Sequence, residues 1–71
     1  LRRNAMSKHA IYRNGRLYDS LDPETHAVKQ IAASWARDMV GDQFEVRDEN
    51  GEWYYRYKMV TSCGLKIEEE K

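Results

Sequence analysis

Apolar residues along this chain follow two different periods. Between residues 9 and 20, and again between 43 and 60, they alternate with polar ones; between 28 and 39 they recur every three or four positions. Period two marks a half-buried strand, and a period near 3.6 marks an amphipathic helix. Two Asn-Gly pairs, Asn14-Gly15 and Asn50-Gly51, interrupt the alternating stretches. Such a pair between alternating segments signals a hairpin, because both residues tolerate the positive φ of a tight turn. Strands are therefore predicted near 9–13, 16–20, 43–48 and 52–60.

The register of the second hairpin can be argued from charge. A two-residue loop would set Glu49 against Glu52, and like charges facing each other are destabilising. A four-residue loop from Asp48 to Gly51 instead sets Arg47 opposite Glu52, Val46 opposite Trp53 and Phe44 opposite Tyr55, and is the expected register. Either choice keeps Phe44 and Val46 on one face with Trp53, Tyr55 and Tyr57. Of the four aromatics in 'WYYRY', only Tyr54 is then expected to point outward, between Arg56 and Lys58.

Between the hairpins, Val28, Ile31, Ala32, Trp35 and Met39 form one stripe at helical spacing. Asp22 suits an N-cap, Pro23 the first helical position, Glu24 the positive end of the dipole, and Gly41 a left-handed C-cap. A helix is predicted over about 23–40. The fold class that follows is α+β: hairpin, helix, hairpin (ββαββ), with one helix on a four-stranded, mainly antiparallel sheet. The favoured strand order is 2-1-3-4, which lets every neighbouring pair run antiparallel.

Composition narrows the function classes. Seventy-one residues form one small domain, for which a single core rarely supplies more than about 3–5 kcal/mol. Cys63 stands alone, so no internal disulfide helps, and no CxxC or His cluster suggests zinc. A partner subunit is the remaining support, so a protein partner or a homodimer is expected. The lone Cys suits a reducing cytoplasm, and no apolar run approaches the roughly 20 residues that span a membrane. The domain is expected over 6–60, with 61–71 a short strand or an acidic tail. Leu1–Ala5 reads as a remnant ahead of a natural start at Met6, in which case Arg2 and Arg3 have no biological meaning.

Candidate chemistry is sparse. His9 and His26 have no carboxylate or Cys at metal-ligand spacing and are expected to be solvated. Cys63 lacks the helix N-terminus or fixed base that activates a thiol, and is expected to be a small semi-buried residue. The acid pairs Asp19/Asp22, Asp38/Asp42 and Asp48/Glu49 fall at turns and helix ends, where Asp is favoured for backbone reasons. No phosphate-loop, dinucleotide, zinc-protease or calcium-loop pattern occurs. No enzyme, cofactor, metal or small-molecule substrate is implied.

Charge points to a surface instead. The total is neutral, 12 basic against 12 acidic residues, but residues 1–18 carry five cations and no acid, and residues 53–67 carry Arg56, Lys58 and Lys66 unopposed. On the open sheet face, Arg13, Arg16, Arg47, Tyr54, Arg56 and Lys58 form the candidate binding face. Tyr and Arg are enriched at protein interface hot spots. The same composition could stack single-stranded bases and track phosphates, so a nucleic-acid-binding module is the alternative. It also suits a plain solvated sheet face, where Tyr and Arg pair well across strands. The layout of NG hairpin, Ala-rich helix and closing 'RDENGEW' resembles many small bacterial and phage domains in architecture alone, and transfers no functional residue. The expected function is that of a small non-enzymatic accessory protein acting through protein–protein contact.

Overall fold

The computed structural model describes residues 8–71, so the expected remnant at 1–5 lies outside the described residues. Six elements follow one another: β1 (His9–Arg13), β2 (Arg16–Leu21), α1 (Val28–Asp38), β3 (Gln43–Arg47), β4 (Trp53–Met59) and β5 (Lys66–Glu70). The strands form one sheet in the order β2-β1-β3-β4-β5, and every neighbouring pair is antiparallel. The α+β class and the predicted order of the first four strands therefore stand. The sheet has five strands, not four, because 'KIEEE' adds to the free edge of β4.

Local chemistry explains each turn. Asn14 and Gly15 adopt φ of 52° and 85°, as a two-residue turn with two left-handed positions requires. The second hairpin departs from the expected register. Phe44 faces Tyr57 and Val46 faces Tyr55, whereas Arg47 faces Trp53. Its loop holds only Glu49, Asn50 and Gly51: the Asp48 N–H donates to the Glu52 carbonyl at 2.9 Å. The Asp48 carboxylate accepts the N–H groups of Asn50 and Glu52 at 2.9 and 3.0 Å, and Gly51 takes φ 83°. This is a turn of the commonest type, Asp first and Gly fourth, closed by a left-handed Gly. Turn geometry outweighs the pairing of Arg47 with Glu52 on which the four-residue loop was preferred.

The odd loop length is absorbed by a bulge. Val46 pairs with Tyr55 and the next residue, Arg47, with Trp53, leaving Tyr54 as an extra residue in β4. A second bulge leaves Tyr18 unopposed, since Ile11 faces Asp19 and Tyr12 faces Leu17.

The helix is shorter than predicted. The Asp22 carboxylate accepts the Glu24 N–H at 2.9 Å, and its carbonyl accepts those of Thr25 and His26 at 3.2 and 3.0 Å. The predicted cap thus closes an isolated turn. Thr25 and His26 are weak helix formers, and α1 begins only at Val28, behind Ala27 and without a side-chain cap. Gly41 is left-handed (φ 97°) as expected, but sits in the turn toward β3, three residues beyond the end of α1.

The buried stripe of α1 is Val28, Ala32, Ala33 and Ala36, with Trp35 and Met39 flanking it. Alanine is buried here because the sheet side of the core is large. Ile11, Phe44, Val46, Tyr55 and Tyr57 fill it, and small helix residues let the axis lie close over those rings. Trp35 and Tyr18 close one flank, each in ring contact with Phe44. No helix among the described residues is long and apolar enough to cross a membrane.

Candidate interaction surface on the open sheet face

The helix covers one face of the sheet and leaves the other uncovered. Alternation along β1, β3 and β4 sends Tyr12, Glu45, Arg56 and Lys58 to the uncovered side, opposite the buried Ile11, Phe44, Val46, Tyr55 and Tyr57. Tyr12, Glu45, Arg56 and Glu69 are successive cross-strand partners, so one row crosses β1, β3, β4 and β5.

Glu45 organises this row. Its two carboxylate oxygens accept hydrogen bonds from Arg47 Nε at 2.6 Å and Arg56 Nε at 2.8 Å. Burial would push its carboxyl up, but the hydrogen bonds and charges of the two arginines hold it below the ordinary glutamate value. Hydrogen bonding to Glu45 likewise raises both guanidinium groups above the usual arginine value. Held in this way, the guanidinium of Arg47 lies 4.1 Å from the ring centre of Tyr12, and that of Arg56 lies 3.8 Å from that of Trp53. Arg56 also reaches Glu69 at 3.5 Å, and the ammonium of Lys71 lies 5.0 Å from the Trp53 ring. The result is two arginine–ring pairs, Arg47 on Tyr12 and Arg56 on Trp53, tied together by one carboxylate.

The bulge exchanges the expected roles of Trp53 and Tyr54. Trp53 leaves the core cluster and joins Arg56 on the open face, whereas Tyr54 turns inward and packs against the core. Its hydroxyl lies 2.7 Å from His9 Nδ1, the two rings meet edge to face at 5.3 Å, and His9 Nε2 lies 3.0 Å from Glu49. In the neutral tautomer that carries its proton on Nε2 toward Glu49, Nδ1 accepts from the Tyr54 hydroxyl. Burial, and then the charges of Asp48 and Glu49, push the Tyr54 phenol up. His9 is therefore a bridging residue rather than a solvated one. His26 is exposed and bonds locally, to Thr25 and the Asp22 carbonyl, and Cys63 is exposed rather than semi-buried.

Of the predicted face, the structure brings together Arg47, Arg56 and Lys58 and removes Tyr54. Arg13 lies apart and pairs with Asp42, its Nε donating at 2.9 Å; hydrogen bonds from Asn14 and Arg13 in turn hold the Asp42 carboxyl below its usual value. Arg16 stands exposed at the tip of the first hairpin, beside Leu17 and Tyr18. Strand alternation alone missed Trp53. The signal for Trp53 was present in the spacing of Asp48 and Gly51, which fits a three-residue loop. Among the described residues, no group of three His, Cys, Asp or Glu side chains could hold a metal ion. The chain matches no known family model, no curated protein and no solved structure.

Proposed function

We propose that this is a small non-enzymatic binding protein that contacts a protein partner through the open sheet face, centred on Trp53, Arg56, Arg47 and Tyr12. The observation that carries the reading is the two arginine–ring pairs tied together by Glu45. Trp, Tyr and Arg are the side chains that dominate interface energetics. Here their geometry is set before any partner arrives, which lowers the ordering cost of binding. The Glu45 and Glu69 carboxylates sit among the cations and would repel phosphates, which favours protein over nucleic acid. An exposed thiol at Cys63 suits a reducing compartment such as the cytoplasm.

Photo-crosslinking in the source cells tests this reading. A benzophenone amino acid at position 58, on the open face, should give a discrete protein adduct; the same probe at position 34, on the exposed side of α1, should not. The Trp53→Ala, Arg56→Ala double variant should weaken capture at least about 30-fold. A nuclease-sensitive adduct, or adducts at position 34 alone, would overturn the assignment. An adduct of twice the 8.4 kDa chain mass would identify the partner as a second copy.

A further inference from the structure

The helix reaches over β3 and β4 but stops short of β5, which leaves a groove on the covered side of the sheet between α1, β4 and β5. Its volume is about 330 Å³ and it is broadly open to solvent. That volume lies at the lower end of the range for small-molecule sites. Tyr57 forms part of its floor and is 97% buried, yet its hydroxyl meets no hydrogen-bond partner among the described residues. A buried phenol normally finds one. Two cations flank the same ring: the Arg37 guanidinium at 5.8 Å and the Lys66 ammonium at 5.6 Å from its centre. Arg37 makes no ion pair among the described residues.

The acids of the groove are already engaged. Glu68 accepts the Tyr55 hydroxyl at 2.8 Å and lies 3.6 Å from Lys66, while Glu70 pairs with Lys29 at the far end. What is left uncommitted is a cluster of donors, the Tyr57 O–H and the Arg37 fork with Lys66 beside them. A fork and a hydroxyl suit the oxygens of one carboxylate or phosphate group. The Glu68 and Glu70 carboxylates set an upper limit on charge, because they would repel a polyanion. We propose that this groove binds a small organic anion carrying a single carboxylate or phosphate group, with Arg37 and Tyr57 as its direct contacts. The site lies across the sheet from the proposed protein-binding face and does not depend on it.

Amide chemical shifts of the full chain, titrated separately with benzoate, phenyl phosphate and tripolyphosphate, test the assignment. Benzoate or phenyl phosphate should give saturable shifts confined to Ala33, Arg37, Tyr57 and Lys66, with a dissociation constant of about 1 mM or tighter. Arg37→Gln and Tyr57→Phe should each weaken binding about tenfold, the loss expected for a hydrogen bond to a charged group. Arg16→Gln, at the distant hairpin tip, should leave it unchanged. Shifts spread equally over Arg13, Arg16 and Arg47 would mean diffuse attraction to cations and overturn the site. So would unchanged affinity in Arg37→Gln, a change at an exposed position on the flank of α1. Tighter binding of tripolyphosphate than of benzoate would overturn the limit to a single anionic group.

Discussion

Replacing Trp53 and Tyr54 by alanine, one at a time, distinguishes a bulged strand from an unbroken one. With unbroken alternation Trp53 is core and Tyr54 is surface; with the bulge the order reverses. Trp53 is half-buried, and its close ring contacts are with the side chains of Arg56 and Lys71 rather than with core residues. Its truncation should cost about 1 kcal/mol or less, as for most side chains outside a packed core. Tyr54 packs on the core cluster and carries the 2.7 Å bond to His9. A fully buried aromatic truncation costs roughly 3–5 kcal/mol; half burial reduces this to about 2–3 kcal/mol, lost hydrogen bond included. For a domain of this size, urea unfolding has a slope near 1 kcal/mol per molar, so Trp53→Ala should lower the midpoint by about 1 M or less and Tyr54→Ala by about 2–3 M. Far-ultraviolet circular dichroism is the suitable probe, since one variant removes a tryptophan. If Trp53→Ala proves the more damaging change, alternation runs unbroken through β4, and the assignment of Trp53 to the open face fails with it.

Three further outcomes follow from the same packing. Phe44 is fully buried, and Phe44→Ala should remove about 3–5 kcal/mol, close to all that so small a core supplies, leaving no cooperative thermal transition by calorimetry. Gly51→Ala should cost about 1 kcal/mol because its φ of 83° is strained for any side chain, read as a lower urea midpoint; no loss would contradict the three-residue loop. Glu45 titrates below its ordinary value of 4.5 in the folded chain, so its contribution is fully present above that value and disappears as pH falls through the lower folded one. Urea midpoints between neutral pH and about pH 3 should therefore fall less steeply in Glu45→Gln than in the parent, and parallel acid limbs would refute the role given to Glu45.

Much of the fold was legible because local signals agreed with tertiary ones. The Asn14-Gly15 turn, the period of α1 and the preference for antiparallel neighbours each point to the arrangement observed. The errors have a common origin in backbone detail that side-chain patterning does not carry. Charge pairing suggested one register, but Asp48 and Gly51 set another through backbone hydrogen bonds, and the mismatch moved Trp53 to the opposite face. The helix start shifted because the Asp22 carboxylate satisfied its neighbours within a single turn. Burial of Ala33 and Ala36 in place of Ile31 was unreadable from hydropathy, since it depends on the size of the rings facing them. Of the candidate surface, Arg47 and Arg56 were legible from strand parity, whereas Arg13 and Arg16 lie elsewhere. Glu45 was not, because its importance lies in two hydrogen bonds from residues that a charge count treats as independent.

The mode of attachment of β5 bears on how the molecule opens. No residue of this strand is buried, and its side chains hold on through Glu68 to Tyr55, Glu69 to Arg56 and Glu70 to Lys29. The other strands next to the helix contribute to a shared apolar core, whose exposure requires global unfolding; β5 contributes none of it. Its amides should therefore exchange with solvent through local opening, well ahead of those of β3 and β4. Each opening uncovers the hydrogen-bonding edge of β4 while the rest of the domain stays folded. An opened β5 thus presents to solvent a row of β4 backbone donors and acceptors that the closed sheet keeps paired.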